Sequence, residues 1–254
     1  SSPYLLDRYG WVAENDSSLG STGYELVSPV YDMHDLSKFD EAVTELTEAI
    51  NAKSVSDQCG GHINISMKQY KNAGHMGNHL LKHISGYVAL LYAMYDKRVK
   101  NSYSRAKKLQ DYINNPSKQA FYPKSDRLEI RIFPEVMSVK NLYLRLRLVK
   151  FMCENPTDDL GVVISYILDE DCELNTIIKE LKHDIKKLCQ RAGDMDHKYD
   201  QKKFGVEVFK SFNKLGIKPK SGIKLKESER DSLLSKLAGV DDEDVKLLIS
   251  AMAL

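Results

Sequence analysis

Two stretches of the chain alternate strictly between apolar and polar positions. From Gly60 to Met67, His62, Asn64 and Ser66 fall on one side and Ile63, Ile65 and Met67 on the other, which predicts a strand with one polar and one buried face. From Arg127 to Phe133, Arg127, Glu129 and Arg131 oppose Leu128, Ile130 and Ile132, a second strand of the same kind. The first 34 residues lack helical spacing and read as a loop, with one strand in the apolar run from Tyr24 that ends at Pro29. Phe39, Ala42, Val43, Leu46 and Ile50 then recur at helical spacing behind a Ser37-x-x-Asp40 capping box, predicting a helix over 37–53. Leu80, Leu81, Ile84, Val88, Leu91 and Tyr95 predict a longer helix over 76–99. Beyond Asn141 every stretch reads as helix: about 141–153, 157–169, 173–191, 204–214, 227–238 and 242–252, with a linker from Gly216 to Gly222.

Strands in the first half followed by helices predict an α+β fold. The expected divisions are an α+β domain over 1–156, a helical extension over 157–215 packed on it, and a short helical pair over 223–254. The apolar stripe of that pair (Leu233, Leu234, Leu237, Val245, Leu248 and Ile249) is read first as a cap on the domain and second as a docking face for a partner.

Composition narrows the function classes. Of the 254 residues 42% are hydrophobic and 29% charged, which suits a packed core and excludes a disordered or fibrous chain. A net charge of +1 gives no reason to expect nucleic acid or an anionic membrane surface as partner. The run Leu160 to Leu168 is far shorter than the ~20 residues of a membrane span, and no signal peptide is visible. The four cysteines (Cys59, Cys153, Cys172, Cys189) show no CxxC spacing, so free thiols and a cytoplasmic location are expected. The chain opens Ser1-Ser2-Pro3 without methionine, and is expected to be a processed product or part of a longer chain.

The chemistry sits on the polar strand faces. Glu25, in Gly23-Tyr24-Glu25-Leu26-Val27-Ser28-Pro29, lies nine residues after Asp16. A sheet whose polar face gathers Glu25, His62 and Glu129 offers two carboxylates and an imidazole, a set suited to a divalent ion carrying nucleotide phosphates. Arg127 and Arg131 would flank that ion and bind anionic oxygens by planar, bidentate hydrogen bonds. Taken alone, an Arg–Glu–Arg row is more readily a solvated ladder of weak ion pairs.

Three segments in order give that row another meaning. "ENDSSLGSTGYELVSPVY", "CGGHINIS" and "DRLEIRIFPEVMSVKNLYLRLRLV" together resemble the amidoligase family, among the carboxylate–amine ligases of the glutamine synthetase and glutamate–cysteine ligase fold. The resemblance covers about residues 10–152. It implies a curved, largely antiparallel sheet with a polar concave face, helices on its back, and a helical C-terminal extension. It implies ATP and Mg²⁺ as cofactors, with small-molecule or peptide carboxylates and amines as substrates. Residue by residue, it makes Glu25, His62 and Glu129 metal ligands, Asn64 a substrate contact, and Asp16 an acidic group near the acceptor. Arg127 and Arg131 would bind the transferring phosphoryl group and the substrate carboxylate, and Arg98 and Arg105 the nucleotide phosphates. The implied reaction phosphorylates a carboxylate from ATP, and an amine then displaces phosphate to leave an amide.

One departure bears on activity. The family opens with a Glu-x-Glu strand, whereas Ser1 to Val12 carries Asp7 as its one acidic residue. An upstream segment or another chain is therefore expected to complete the sheet, and the chain by itself is expected to turn over ATP weakly or not at all. The reading from another class is a non-catalytic structural or assembly protein that reuses the fold, for example a processed protein of a virus particle.

Other patterns carry less. His75, His79 and His83 share one helix face, but no carboxylate or cysteine joins them at ligand spacing, so a solvated face is expected. Cys59 lies three residues before His62 at a turn, which gives no nucleophile geometry. Gly20 to Gly23 lacks the P-loop pattern. Tyr87, Tyr92, Tyr95, Tyr103 and Tyr112 are read as core or core edge rather than as base-stacking platforms.

Overall fold

The computed structural model describes residues 2–16, 23–49, 59–136, 138–199 and 215–216. The helices expected at 204–214, 227–238 and 242–252, and with them the C-terminal pair, lie outside the described residues.

The first 34 residues hold more than a loop and one strand. Helix α1 (Ser2–Tyr9) stops at Gly10, whose φ of 67° lets Trp11 N–H return to the Leu6 carbonyl at 2.9 Å. Two turns are too short to show a helical period in sequence. What holds α1 is tertiary: Arg8 reaches Glu41 at 3.2 Å and Glu45 at 3.0 Å on the following helix. Strand β1 (Val12–Asn15) pairs antiparallel with β2 (Tyr24–Val27), which sets Glu14 directly opposite Glu25.

Helix α2 (Ser37–Ala49) forms where the apolar spacing predicts it, but its start is capped differently. Asp35 Oδ1 accepts from Ser37 N at 3.1 Å and from Ser37 Oγ at 2.7 Å, while the Asp40 carboxylate accepts the Tyr143 hydroxyl. An aspartate two residues earlier therefore does the work that the capping box assigns to Ser37. Trp11, Tyr31 and Tyr143 pack around Phe39, with ring centroids at 6.3, 5.2 and 5.9 Å.

Strand β3 (Ile63–Ile65) precedes helix α3 (Met76–His83), a 3-10 turn at Ser85–Tyr87 and helix α4 (Val88–Met94). The expected 76–99 helix is thus broken. The cause is a close approach: Gly86 N–H donates to the Thr157 carbonyl at 2.9 Å, and a Cβ there would lie 2.9 Å from the Asp159 backbone. Helix α5 (Leu109–Asn114) leads into β4 (Phe121–Pro123) and β5 (Leu128–Ile130). The sheet order is β3-β5-β4, antiparallel throughout, with Asn64 and Tyr122 flanking Glu129. Pro123 is tolerated because β4 is an edge strand among the described residues.

Helix α6 (Val139–Glu154) is capped by Ser138, whose hydroxyl accepts from Asn141 N at 3.1 Å. Ser138→Ala is expected to cost about 1 kcal/mol, read as a lower midpoint in urea with unchanged slope. Helix α7 (Leu160–Leu168) follows. The expected 173–191 helix divides into α8 (Glu173–Glu180) and α9 (Ile185–Tyr199) around Lys182, whose φ is 62°.

One apolar core joins these parts. Ile65, Leu128 and Ile130 from the sheet meet Leu80, Leu91 and Tyr92 from α3 and α4, Leu148 from α6, and Ile164, Ile177 and Leu188 from α7, α8 and α9. Tyr87, Tyr92 and Tyr112 are fully buried, as the core reading expects, whereas Tyr103 is 38% exposed. All four cysteines are free thiols. No helix among the described residues is long and apolar enough to cross a membrane.

Candidate functional site

The pleat sends alternate residues of the three-stranded sheet to opposite faces. Leu128 and Ile130 go into the core, and Arg127, Glu129 and Arg131 go to the other side. Glu129, on the central strand, is nine-tenths buried there, its side chain only 7% exposed. Its Oε1 accepts from Arg131 Nη1, and its Oε2 sits 2.5 Å from Lys124 Nζ. Burial pushes the Glu129 carboxyl up, but those two hydrogen bonds outweigh it and hold it below its usual 4.5.

His62 joins the two sheets. Its Nδ1 lies 3.4 Å from Glu25 Oε1 and 3.7 Å from Glu129 Oε1. The hydrogen bond with His62 holds the Glu25 carboxyl below its usual 4.5, against the opposing effect of burial. Asp16 lies near enough to Glu25 to push its carboxyl in the opposite direction. The sequence-predicted set Asp16, Glu25, His62 and Glu129 is therefore brought to one region. Glu14 joins it: opposite residues of an antiparallel pair share a face, and Glu14 faces Glu25 across the ladder.

The basic side of the site has three sources. Arg131 Nε donates to the Tyr103 carbonyl at 3.3 Å. Arg127 Nε donates to Asn64 Oδ1 at 3.2 Å and Arg127 Nη1 pairs with Asp126 at 2.7 Å. Arg98, largely buried, lies against Gly60: a Cβ there would fall 2.4 Å from Arg98 Nη2 and 3.4 Å from His62 Nε2. Glycine at 60 is what lets the guanidinium sit beside the imidazole.

Arg105 is not drawn in. Its side chain is exposed, and its carbonyl accepts from Ala120 N at 3.2 Å and Tyr112 hydroxyl at 3.1 Å. His75 and His79 are exposed; His83 is partly buried and meets the Tyr70 hydroxyl at 3.2 Å.

Besides Glu14, two residues escaped the reading of the sequence. Lys124 stands on the turn after β4, and the alternation Phe121 buried, Tyr122 partly exposed, Pro123 buried, Lys124 partly exposed puts it on the face of Glu129. That alternation is readable, but three residues with a proline make a faint strand signal. Arg145, on α6, is buried and donates to the carbonyls of Pro134 at 2.6 Å and Glu135 at 3.0 Å. It braces the strand that leaves β5.

The donor set does not fit a divalent ion as folded. Both Glu129 oxygens are taken by cationic groups, and among the described residues no three His, Cys, Asp or Glu side chains converge as a metal site would require. Glu25, His62 and Glu129 meet, as the resemblance implies, but around a lysine and an arginine.

The profile of a family described as "putative amidoligase enzyme" matches residues 8–144, more than half of the chain. The chain belongs to the amidoligase family. No curated protein and no solved structure matches it. The amidoligase match runs from the end of α1 into α6, and so contains every site residue described above except Arg145, which lies one position beyond it. Helices α7, α8 and α9 lie beyond the match.

Proposed function

We propose that the chain is an ATP-dependent carboxylate–amine ligase, or a descendant of one, on the curved sheet of the glutamine synthetase-like ligases. The observation that carries this reading is the meeting of three separate segments, around Glu25, His62 and Glu129, where the two small sheets come together beside arginines. Membership of the amidoligase family supports it. Such a face suits a reaction whose charge moves from a phosphoryl group to a carboxylate and back.

In this mechanism Arg98 and Arg131 hold the oxygens of the γ-phosphoryl group, and Asn64 and Arg127 orient the substrate carboxylate. A carboxylate oxygen attacks the γ-phosphorus, and ADP leaves with the electron pair of the broken P–O bond. An amine nitrogen then attacks the acyl carbon, the C–O bond to phosphate breaks, and inorganic phosphate departs. The amine proton passes to Asp16, beside Glu25. The outer edge of β1, which has no ladder partner among the described residues, is where an upstream segment or another chain completes the sheet.

The test is ADP release with mixed amino acids and short peptides as acceptors. Slow, acceptor-dependent release with matching amide formation is the expected result. Arg131→Met is expected to lower kcat about 100-fold, because it removes a donor to the transferring group. Release that ignores the acceptor, or no release with any acceptor, would sink the ligase reading.

A further inference from the structure

The misfit between the acidic residues and a divalent ion has a specific cause. Lys124 Nζ already lies 2.5 Å from Glu129 Oε2, and Arg131 holds Oε1. A divalent ion brought to that carboxylate would meet two positive charges at contact distance, a repulsion its buried setting screens poorly.

Lys124 is not a surface lysine that found a partner by chance. Its N–H donates to the Arg127 carbonyl at 2.8 Å, closing the turn between β4 and β5. Helix α3 clamps that turn from outside: Gly77 N–H donates to the Lys124 carbonyl at 2.9 Å and Met76 N–H to the Ser125 carbonyl at 3.0 Å. The ammonium also lies 5.1 Å from the centre of the Tyr122 ring. A backbone fixed at both ends and an ammonium held between Glu129 and the Tyr122 ring leave little side-chain freedom to lose. An ammonium has three donors, of which Glu129 uses one. The side chain keeps 26% exposure, so donors remain on the open side. Arg131 and Arg98 lie nearby, so three cationic side chains border the pair His62 and Glu129.

We propose that Lys124 is the resident cation of the Glu129 site: it occupies the oxygen a divalent ion would need and binds the ligand's phosphate oxygens directly, so that polyphosphate binds here without metal. This deepens the ligase reading and rests on it for the choice of a polyphosphate as ligand. Glu129 is then a positioning residue, which aims Lys124 and Arg131 rather than coordinating an ion.

The experiment titrates the full chain with inorganic tripolyphosphate and with ATP by calorimetry, once in EDTA and once in Mg²⁺. For the wild type, the Kd values in the two buffers are expected to agree within about threefold, a difference under 1 kcal/mol. Lys124→Met is expected to weaken binding in EDTA about tenfold or more, through loss of a charge-assisted hydrogen bond. In Mg²⁺ the same variant should recover, because Glu129 Oε2 is vacated for the ion; a merely structural lysine would give no such metal requirement. Lys124→Arg is expected to retain metal-free binding. Wild-type binding abolished by EDTA, binding absent in both buffers, or Lys124→Met binding unchanged in EDTA would each overturn the proposal. The first of these needs no variant, so a failure of Lys124→Met to fold leaves the test intact. Metal-free binding without acceptor-dependent ADP release would end the ligase reading and leave Lys124 in this role. Metal-dependent binding with turnover would do the reverse.

Discussion

Glu129→Gln is expected to lose about 3 kcal/mol of stability, or roughly 6–12 °C in Tm. The change keeps the shape of the side chain and deletes the one negative charge that Lys124 and Arg131 share. Two cations are left facing each other on a largely buried strand, which costs more than the lost attraction alone. The sign of the pH dependence follows from the lowered carboxyl of Glu129. A carboxyl whose folded pKa lies below its unfolded value contributes fully above the unfolded value and loses its contribution as pH falls through the folded one. The gap between wild type and Glu129→Gln should therefore be widest at neutral pH and narrow below about pH 4. Thermal melts at pH 7 and pH 3 measure it. A gap of equal size at both pH values would mean that the loss comes from packing rather than from the ion pairs.

Gly77→Ala is expected to cost about 2–3 kcal/mol and to weaken ligand binding at a distance from the ligand itself. A Cβ at Gly77 would lie 2.4 Å from Lys124 N, 2.5 Å from the Arg127 oxygen and 2.7 Å from the Lys124 oxygen. All three are backbone atoms of the β4–β5 turn, so no side chain can swing aside. Either α3 or the turn must move, and the turn carries both Lys124 and Arg127. The expected result is a lower Tm together with weaker tripolyphosphate binding. A lower Tm with unchanged binding would mean that α3 yields and the turn stays in place.

Part of the site was legible before any coordinates. Asn64 on β3 and Glu129 on β5, with His62, Arg127 and Arg131 immediately flanking those strands, stand on the polar faces that alternation predicts, and the apolar partners Ile65, Leu128 and Ile130 are buried. The strands themselves are shorter than the alternating stretches. Only Ile63–Ile65 and Leu128–Ile130 are laddered, because pairing needs a neighbour at each position and β4 is three residues long. Glu14 went unread because β1 is exposed along its length and shows no apolar side to betray it. Lys124 went unread because the turn that aims it is held by α3, forty-seven residues earlier in the chain.

What the sequence by itself determined is local: which residues share a face, which stretches are helical in the main, and that three acidic and basic segments follow in a family's order. Those properties depend on the pleat and the helical period, which neighbours along the chain set without help. What only the tertiary structure decided is which charges meet. Side chains on β2, β3, β5 and the β4–β5 turn converge on Glu129 because Gly60 admits Arg98, Gly77 admits the turn, and the sheet register sets Asn64 and Tyr122 beside the carboxylate. Alternation marks Glu129 as polar and facing out. Whether it then holds a metal ion or a lysine depends on a contact between parts of the chain that no local period relates.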